Sequence, residues 1–254
     1  MERDAVMNQQ EPVELSVVIP AYNEEDRLGP TLEAVTTYLD EQPWPTELIV
    51  VDDGSTDATA ELASDLLEEG PIPGRVLVNE QNRGKGYSVR RGMTESEGRL
   101  ALFSDADLST PIEHTADLRD AIEAGADVAV GSRALRDSDV KVRQPWARQT
   151  AGKMFSLVQR SILGSGIRDT QCGFKMFTRE AVEAVFPHQQ LERWAFDAEI
   201  IMIAQRLGLT VVEVPVRWLN APGTKVNALV DGMQMVADLW TIRRMHGHLT
   251  PDDR

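Results

Sequence analysis

Two clusters of carboxylates close short apolar runs in this chain: Val50-Val51-Asp52-Asp53-Gly54-Ser55 and Leu100-Ala101-Leu102-Phe103-Ser104-Asp105-Ala106-Asp107. An α/β sheet offers the carboxyl ends of its strands to ligands, so acids delivered there are placed for binding. Asp105 and Asp107 stand two positions apart, and extended chain at that spacing turns both side chains to the same side. Such a pair suits a hard divalent cation, which takes oxygen ligands and is often bridged to substrate phosphates. The chain carries 41 acidic residues, and Asp137-Ser138-Asp139 repeats the spacing with no apolar strand before it. Position, more than spacing, therefore singles out the first two clusters.

The elements that must hold these acids are legible as an alternation. Leu15 to Pro20, Glu47 to Val51, Arg75 to Val78 and Arg99 to Ser104 read as strands, the first ended by Pro20. Helices are expected from Glu24 to Leu39, with its acidic residues in the first turn facing the dipole, and through Ala60, Ala63, Leu66 and Leu67. A further helix is opened by Asn82-Arg83-Gly84-Lys85-Gly86, and Pro111 fits the start of another. Strand and helix alternating over about 105 residues imply an α/β fold with a mainly parallel central sheet and helices on both faces. Beyond it, Asp127 to Val130 and Val211 to Val216 are strand candidates, with helices expected over 147–163 and 226–245. Residues 1–13 are expected to form a loose tail and 14–254 a single domain, with a nucleotide half over 14–107 and an acceptor half over 108–254 that ends in the last helix.

Composition narrows the function classes. A net charge of −15 argues against nucleic-acid binding, which depends on neutralising phosphates with Lys and Arg. Only five of the 26 basic residues are Lys, an acidic, Lys-poor balance that suits a salt-rich, halophilic setting, where screening weakens self-repulsion. No run approaches the ~18 apolar residues of a spanning helix, and Met1 to Glu14 lacks a signal-peptide core. The expected location is the cytoplasm, with association at the cytoplasmic membrane face. The single cysteine, Cys172, excludes an internal disulfide and is expected to serve packing.

Taken in order, Val17 to Glu25, Val50 to Asp57, Asn82 to Gly86, Ser104 to Leu108, Gly131-Ser132-Arg133, Asp169 to Lys175, Phe196 to Glu199 and Val214 to Trp218 resemble the inverting GT-A glycosyltransferases of family 2. Within that group they are most similar to the dolichyl-phosphate (polyprenyl-phosphate) glucosyltransferases. The resemblance implies a GT-A, Rossmann-like fold and a nucleotide site that includes Pro20, Tyr22, Glu24, Asp52, Asp53, Lys85 and Asp105. Carboxylate acceptors suit a nucleoside, whose imide and ribose hydroxyls donate; an ordinary strand end and turn is the alternative reading of Pro20, Tyr22 and Asp53. Asp105 and Asp107 are implied as the holders of Mg2+ or Mn2+, with Asp197 in a catalytic or positioning role and Glu199 and Asp169 of similar standing. The 82–86 loop resembles a phosphate loop at a helix start, although it is no P-loop, because Gly86 follows Lys85 where Ser or Thr belongs. Arg133, Lys175 and Arg217, with Lys225 weaker, are candidates for contact with the acceptor phosphate; related enzymes often carry Arg at the Lys175 position.

From Val140 to Arg168 the chain carries Lys141, Arg143, Arg148, Lys153, Arg160 and Arg168 and no acid. Trp146 leads into Ala147, Ala151, Met154, Phe155, Val158 and Ile162 at helical spacing. Such a basic amphipathic segment can lie in a membrane interface or pack on the core with its basic face in solvent. Leu229, Met233, Val236 and Trp240 form a comparable stripe in the last helix. The expected reaction moves a hexose, glucose by resemblance, from a nucleotide sugar such as UDP-glucose to a polyprenyl or dolichyl phosphate. The rivals are transfer to a glycan or small-molecule hydroxyl and a non-catalytic sugar-nucleotide-binding subunit; a nucleotidyltransferase would need a Gly-rich basic loop straight after the first strand, which is missing. The sequence leaves the oligomeric state open.

Overall fold

The computed structural model describes residues 11–139, 164, 166–219 and 230–254. Seven strands form one sheet: β1 (Leu15–Ala21), β2 (Thr46–Asp52), β3 (Gly74–Val78), β4 (Leu100–Ser104), β5 (Val128–Ser132), β6 (Phe174–Thr178) and β7 (Val211–Pro215). Their spatial order is β3-β2-β1-β4-β6-β5-β7. The pairs β1–β2, β2–β3, β1–β4 and β5–β7 are parallel, and β6 runs antiparallel between β4 and β5. The sheet is thus mainly parallel, as the alternation predicts.

β1, β2 and β4 are buried along their whole length, because helices cover both faces. Helices α1 (Leu28–Asp40), α2 (Thr59–Glu68) and α4 (Thr115–Glu123) bury Leu32, Val35, Leu67 and Leu118 against Val17, Ile19, Val50 and Leu102 on one face. Helices α3 (Lys85–Glu95), α5 (Arg179–Val185) and α6 (Phe196–Arg206) bury Val89, Met93, Val185 and Ile200 against Val18, Ile49, Val51 and Phe103 on the other. Alternate strand residues serve opposite layers, the period of two expected of extended chain.

Two local expectations change and a third, left open, is narrowed. The first helix begins at Leu28, not Glu24, and has no acid in its first turn. Glu24, Glu25 and Asp26 lie in the turn ahead of it, where the first two tie loops together. β1 continues one residue past Pro20. The β1–β4 register ends at Val18 paired with Phe103, so the missing Pro N–H falls beyond that ladder. The final helix, α7 (Val230–His246), buries Leu239 and Ile242 while Trp240 is 60% exposed, so of the two places left open for that stripe Trp240 does not take the core one. Leu229 and the side chains of Met233 and Val236 lie outside the described residues, as do the expected helix over 147–163 and Lys225. No helix among the described residues is long and apolar enough to cross a membrane.

Candidate active site

Ala21, Asp52 and Ser104 end β1, β2 and β4, so the loops that follow them open at one edge of the sheet. The order 3-2-1-4 reverses direction between β1 and β4, the crevice where such sheets bind ligands. The first two loops are stitched together. Asn23, at φ 50°, donates its N–H to Ser55 Oγ (2.9 Å) and accepts from the Thr56 N–H (2.9 Å). The Glu24 N–H reaches Thr59 Oγ1 (2.8 Å), and Glu25 accepts from the Ala58 N–H (2.9 Å). Glu24 also grips Arg27 through both carboxylate oxygens, and that contact raises the Arg27 pKa, with Asp107 adding to it across the cleft. Tyr22 stands exposed at the rim and Pro20 is buried in β1.

The adjacent acids of β2 diverge. Asp52 Oδ2 accepts from the Ser55 N–H (3.1 Å), whereas its Oδ1 is buried without a partner. A buried carboxylate oxygen left open at a cleft is placed to accept from a ligand. Asp53 has no such vacancy. Its Oδ1 accepts from the Asn79 amide (2.8 Å) and the Arg83 N–H (3.0 Å), and its Oδ2 from the Gly84 N–H (2.7 Å). Asp53 therefore shapes the 82–86 loop, a structural task beside its expected place in the nucleotide site.

That loop is itself reassigned. A Cβ on Gly84 (φ 111°) would strike the Glu192 carbonyl, and one on Gly86 would lie 2.5 Å from the Leu191 carbonyl. The Tyr87 N–H donates to Glu192 O (3.2 Å) and Gln189 Nε2 to Gly86 O (2.8 Å). The glycines thus admit residues 189–192 rather than a phosphate, and Asp53 and Glu192 consume the amides of Arg83, Gly84 and Tyr87. What the loop delivers is Lys85. Its ammonium pairs with Asp105 Oδ1 and lies 5.9 and 5.7 Å from the ring centroids of Trp194 and Phe196. Burial works against its charge, but Asp105, Asp197 and Asp107 outweigh that and raise its pKa.

Asp105 and Asp107 lie past the end of β4 in a turn, not in extended chain as their spacing suggests. The Leu108 N–H closes the turn on Asp105 O (3.2 Å), Leu108 takes φ 43°, and Thr31 Oγ1 of α1 pins the Ala106 carbonyl (2.6 Å). The Asp105 N–H donates to Gly173 O (3.1 Å), and its carboxylate occupies the space where a Cβ on Gly173 would sit. Asp107 Oδ1 accepts from the Ser109 N–H (2.9 Å). The Asp105 side chain stays 37% exposed, open to the cleft. Among the described residues no group of three or more His, Cys, Asp and Glu is gathered for a metal ion. Two carboxylates from one turn still match a Mg2+-type site, in which one or two protein carboxylates are completed by phosphate oxygens and water. The donor set fits such an ion.

On the far side, Arg133 Nε and Nη2 hold Asp169 at 2.7 and 2.8 Å, with its N–H also on Asp169 (2.9 Å) and its guanidinium 5.5 Å from the Trp218 ring centroid. Burial pushes the Asp169 carboxyl up, but Arg133 more than offsets this and holds it below the usual range. Lys175, in β6, is fully buried and gives its ammonium to Cys172 O (2.5 Å) and Asp197 Oδ1. That corrects its expected place on the acceptor phosphate: the charge neutralises Asp197 inside the core. Burial raises the Asp197 pKa against the pull of Lys175 and Lys85. Glu199 is equally buried but points elsewhere, accepting from the Gln190 and Leu191 N–H groups (2.9 and 2.8 Å) and bonding His246 Nε2 (2.7 Å). Arg217 donates its N–H to His114 Nε2 (2.9 Å), and its Nε is buried without a partner. Cys172 is buried against Thr110, and burial lifts its thiol to about 11, in keeping with packing. Arg27, Trp194 and the 189–192 segment are site elements that no motif disclosed; only the fold brings them to Asp107 and Lys85.

The chain is similar to known proteins in sequence and in fold. The model of glycosyl transferase family 2 matches residues 16–186. A dolichyl-phosphate beta-glucosyltransferase of Dictyostelium discoideum is 38% identical over 240 residues, covering 90% of this chain and 73% of that protein. Its namesake in Homo sapiens is 36% identical over 246 residues, covering 91% and 75%. Among solved structures, glucosyl-3-phosphoglycerate synthase from Mycobacterium tuberculosis, in complex with Mn2+, UDP-glucose and phosphoglyceric acid, superposes with a TM-score of 0.69 over 92% of this chain and 80% of that one. At 20% identity that likeness speaks for the fold.

Proposed function

The chain belongs to glycosyl transferase family 2, and on that premise we propose that it moves glucose from UDP-glucose to a dolichyl (polyprenyl) phosphate with inversion at the anomeric carbon. Relatives named dolichyl-phosphate beta-glucosyltransferase, 34 to 38% identical over most of the chain, support the acceptor and the sugar. The observation that carries the reading is the fate of Asp197. A sugar hydroxyl must lose a proton as it attacks, and the acid at this position is the expected base. Here that acid is buried and bound to the Lys175 ammonium. A phosphate acceptor is already an oxyanion and needs no base.

In this reaction an acceptor oxygen bonds to the anomeric carbon while the bond from that carbon to the UDP oxygen breaks, and UDP leaves with the electron pair. Asp52 Oδ1 accepts from the nucleoside, with Tyr22 beside the base. Asp105 and Asp107 would hold a divalent cation, Mg2+ or Mn2+, which when bound would neutralise charge growing on the leaving diphosphate. Lys85 supplies a second positive charge there, and Asp53 and Glu24 keep the surrounding loops in register. Arg133, oriented by Asp169, and Arg217 face the acceptor's phosphate. Because a polyprenyl chain resides in lipid, the protein meets a membrane surface. The basic run over 141–168 supports that contact, although all of it but residues 164 and 166–168 lies outside the described residues.

The test is UDP release from UDP-glucose with polyprenyl phosphate or free sugars as acceptor. Turnover is expected only with the lipid phosphate. Asp105→Ala and Asp107→Ala should each lower it at least 100-fold, given that such metal and electrostatic stabilisation is worth several kcal/mol. Comparable transfer to sugars, or near-normal turnover in either variant, would overturn the reading.

A further inference from the structure

Lys85 places a positive charge on the carboxylate that would serve a bound cation as ligand. Its ammonium is paired with Asp105 Oδ1, on the same carboxylate that faces the cleft from the acid turn. The loop holding it is fixed from two sides, by Asp53 on the Gly84 N–H and by Gln189 on the Gly86 carbonyl, so the charge is delivered by design of the backbone. In the same position the ammonium lies 5.9 and 5.7 Å from the ring centroids of Trp194 and Phe196, contacts that do not depend on Asp105. Asp107 and Asp197 add to the field that keeps it at this end of the site.

We propose that Lys85 is a tethered cation that occupies Asp105 until nucleotide arrives, so that divalent ion and nucleotide enter the site as a coupled pair. The inference rests on Asp105 being a cation ligand, as in the proposed function, and adds how that ligand is kept. Without nucleotide, a divalent ion must displace the ammonium and sit beside it, like charge against like. A nucleoside diphosphate gives the ammonium a new anionic partner and gives the ion further oxygen ligands, so both obstacles fall together. Linkage makes the effect mutual: UDP strengthens the ion's binding by the factor with which the ion strengthens UDP's.

The experiment is titration of the full chain with Mn2+, followed by the loss of the free-ion electron paramagnetic resonance signal, without and with saturating UDP. In the wild type, Mn2+ alone binds weakly and UDP strengthens it at least tenfold. Lys85→Met and Lys85→Gln are expected to bind Mn2+ alone at least tenfold tighter, with the UDP effect shrunken. Lys85→Arg, which keeps the charge, stays close to the wild type. Asp105→Asn introduced into Lys85→Met abolishes the gain. Unchanged unfolding midpoints identify folded variants, and the Gln and Arg variants cover a failure of Met. Mn2+ affinity that depends on Asp105 but is indifferent to Lys85 overturns this inference alone. Mn2+ affinity indifferent to Asp105 overturns it together with the cation reading beneath it.

Discussion

Asp52 and Asp53 are neighbours of one type, equally buried, yet only one oxygen of the four is left open. Their difference is set by what the chain folds beside them: a turn at Ser55 for one, the amides of Arg83 and Gly84 for the other. Sequence motifs show that acids stand at a strand end; they do not show which acid the backbone will consume. Asp169 makes the same point from the other side of the site, because its partner Arg133 lies 36 residues away. Since Arg133 holds the Asp169 carboxyl below its unfolded value near 3.9, the pair's contribution is complete above that pH. It is lost as the pH falls through the lower, folded value. Asp169→Asn should therefore cost about 1–3 kcal/mol at pH 7, and the gap to the wild type should close only below about pH 4. Urea unfolding from pH 7 to pH 3 measures it; a gap that closes already near pH 6 would assign the pairing energy to another group.

At the scale of elements, β1, β2 and β4 are legible because a strand covered on both faces needs a continuous apolar run. β6 is not, because Lys175 interrupts Phe174-Lys175-Met176-Phe177 and its counter-ion Asp197 arrives from α6, which itself opens with two buried acids. An ion pair across the core cancels the very charges that make both segments look exposed. α6 also explains how the Lys85 loop is held from a distance. Glu199 fixes Gln190 and Leu191, and residues 189–192 form the surface on which Gly84 and Gly86 rest. Replacing Glu199 by Gln turns an amide NH2 toward N–H donors and leaves at least one of them unpaired, at about 1–3 kcal/mol. The expected outcome is faster amide exchange at Gln190 and Leu191 and a raised KM for UDP-glucose, with less change in KM for the lipid acceptor. Equal rises in both would mean a general loss of structure rather than a shifted Lys85 loop.

At the scale of the whole molecule, charge is distributed against the expected reaction. A protein of net −15 is repelled by anionic lipid, yet its acceptor is an anion carried in a membrane. If the acid-free run from Val140 to Arg168 makes the proposed membrane contact, it would offset that repulsion locally, with about 1 kcal/mol per basic residue near the surface falling off within a Debye length. Two opposite salt dependences follow. Raising KCl from 0.1 to 1 M screens the self-repulsion of the acidic surface, and a gain of about 1 kcal/mol would lift Tm by about 2–4 °C for a chain of this size. Over the same range, co-sedimentation with anionic vesicles should fall, because the basic run loses its attraction, and Arg148→Glu with Arg160→Glu should abolish it at low salt while leaving the rise in Tm in place. A Tm that drops with salt would show that the surface charges are paired rather than repelling. Equal vesicle recovery of the double variant would place the membrane contact elsewhere, and the exposed Trp240 of α7, with Arg244 one turn on, is then the next surface to alter.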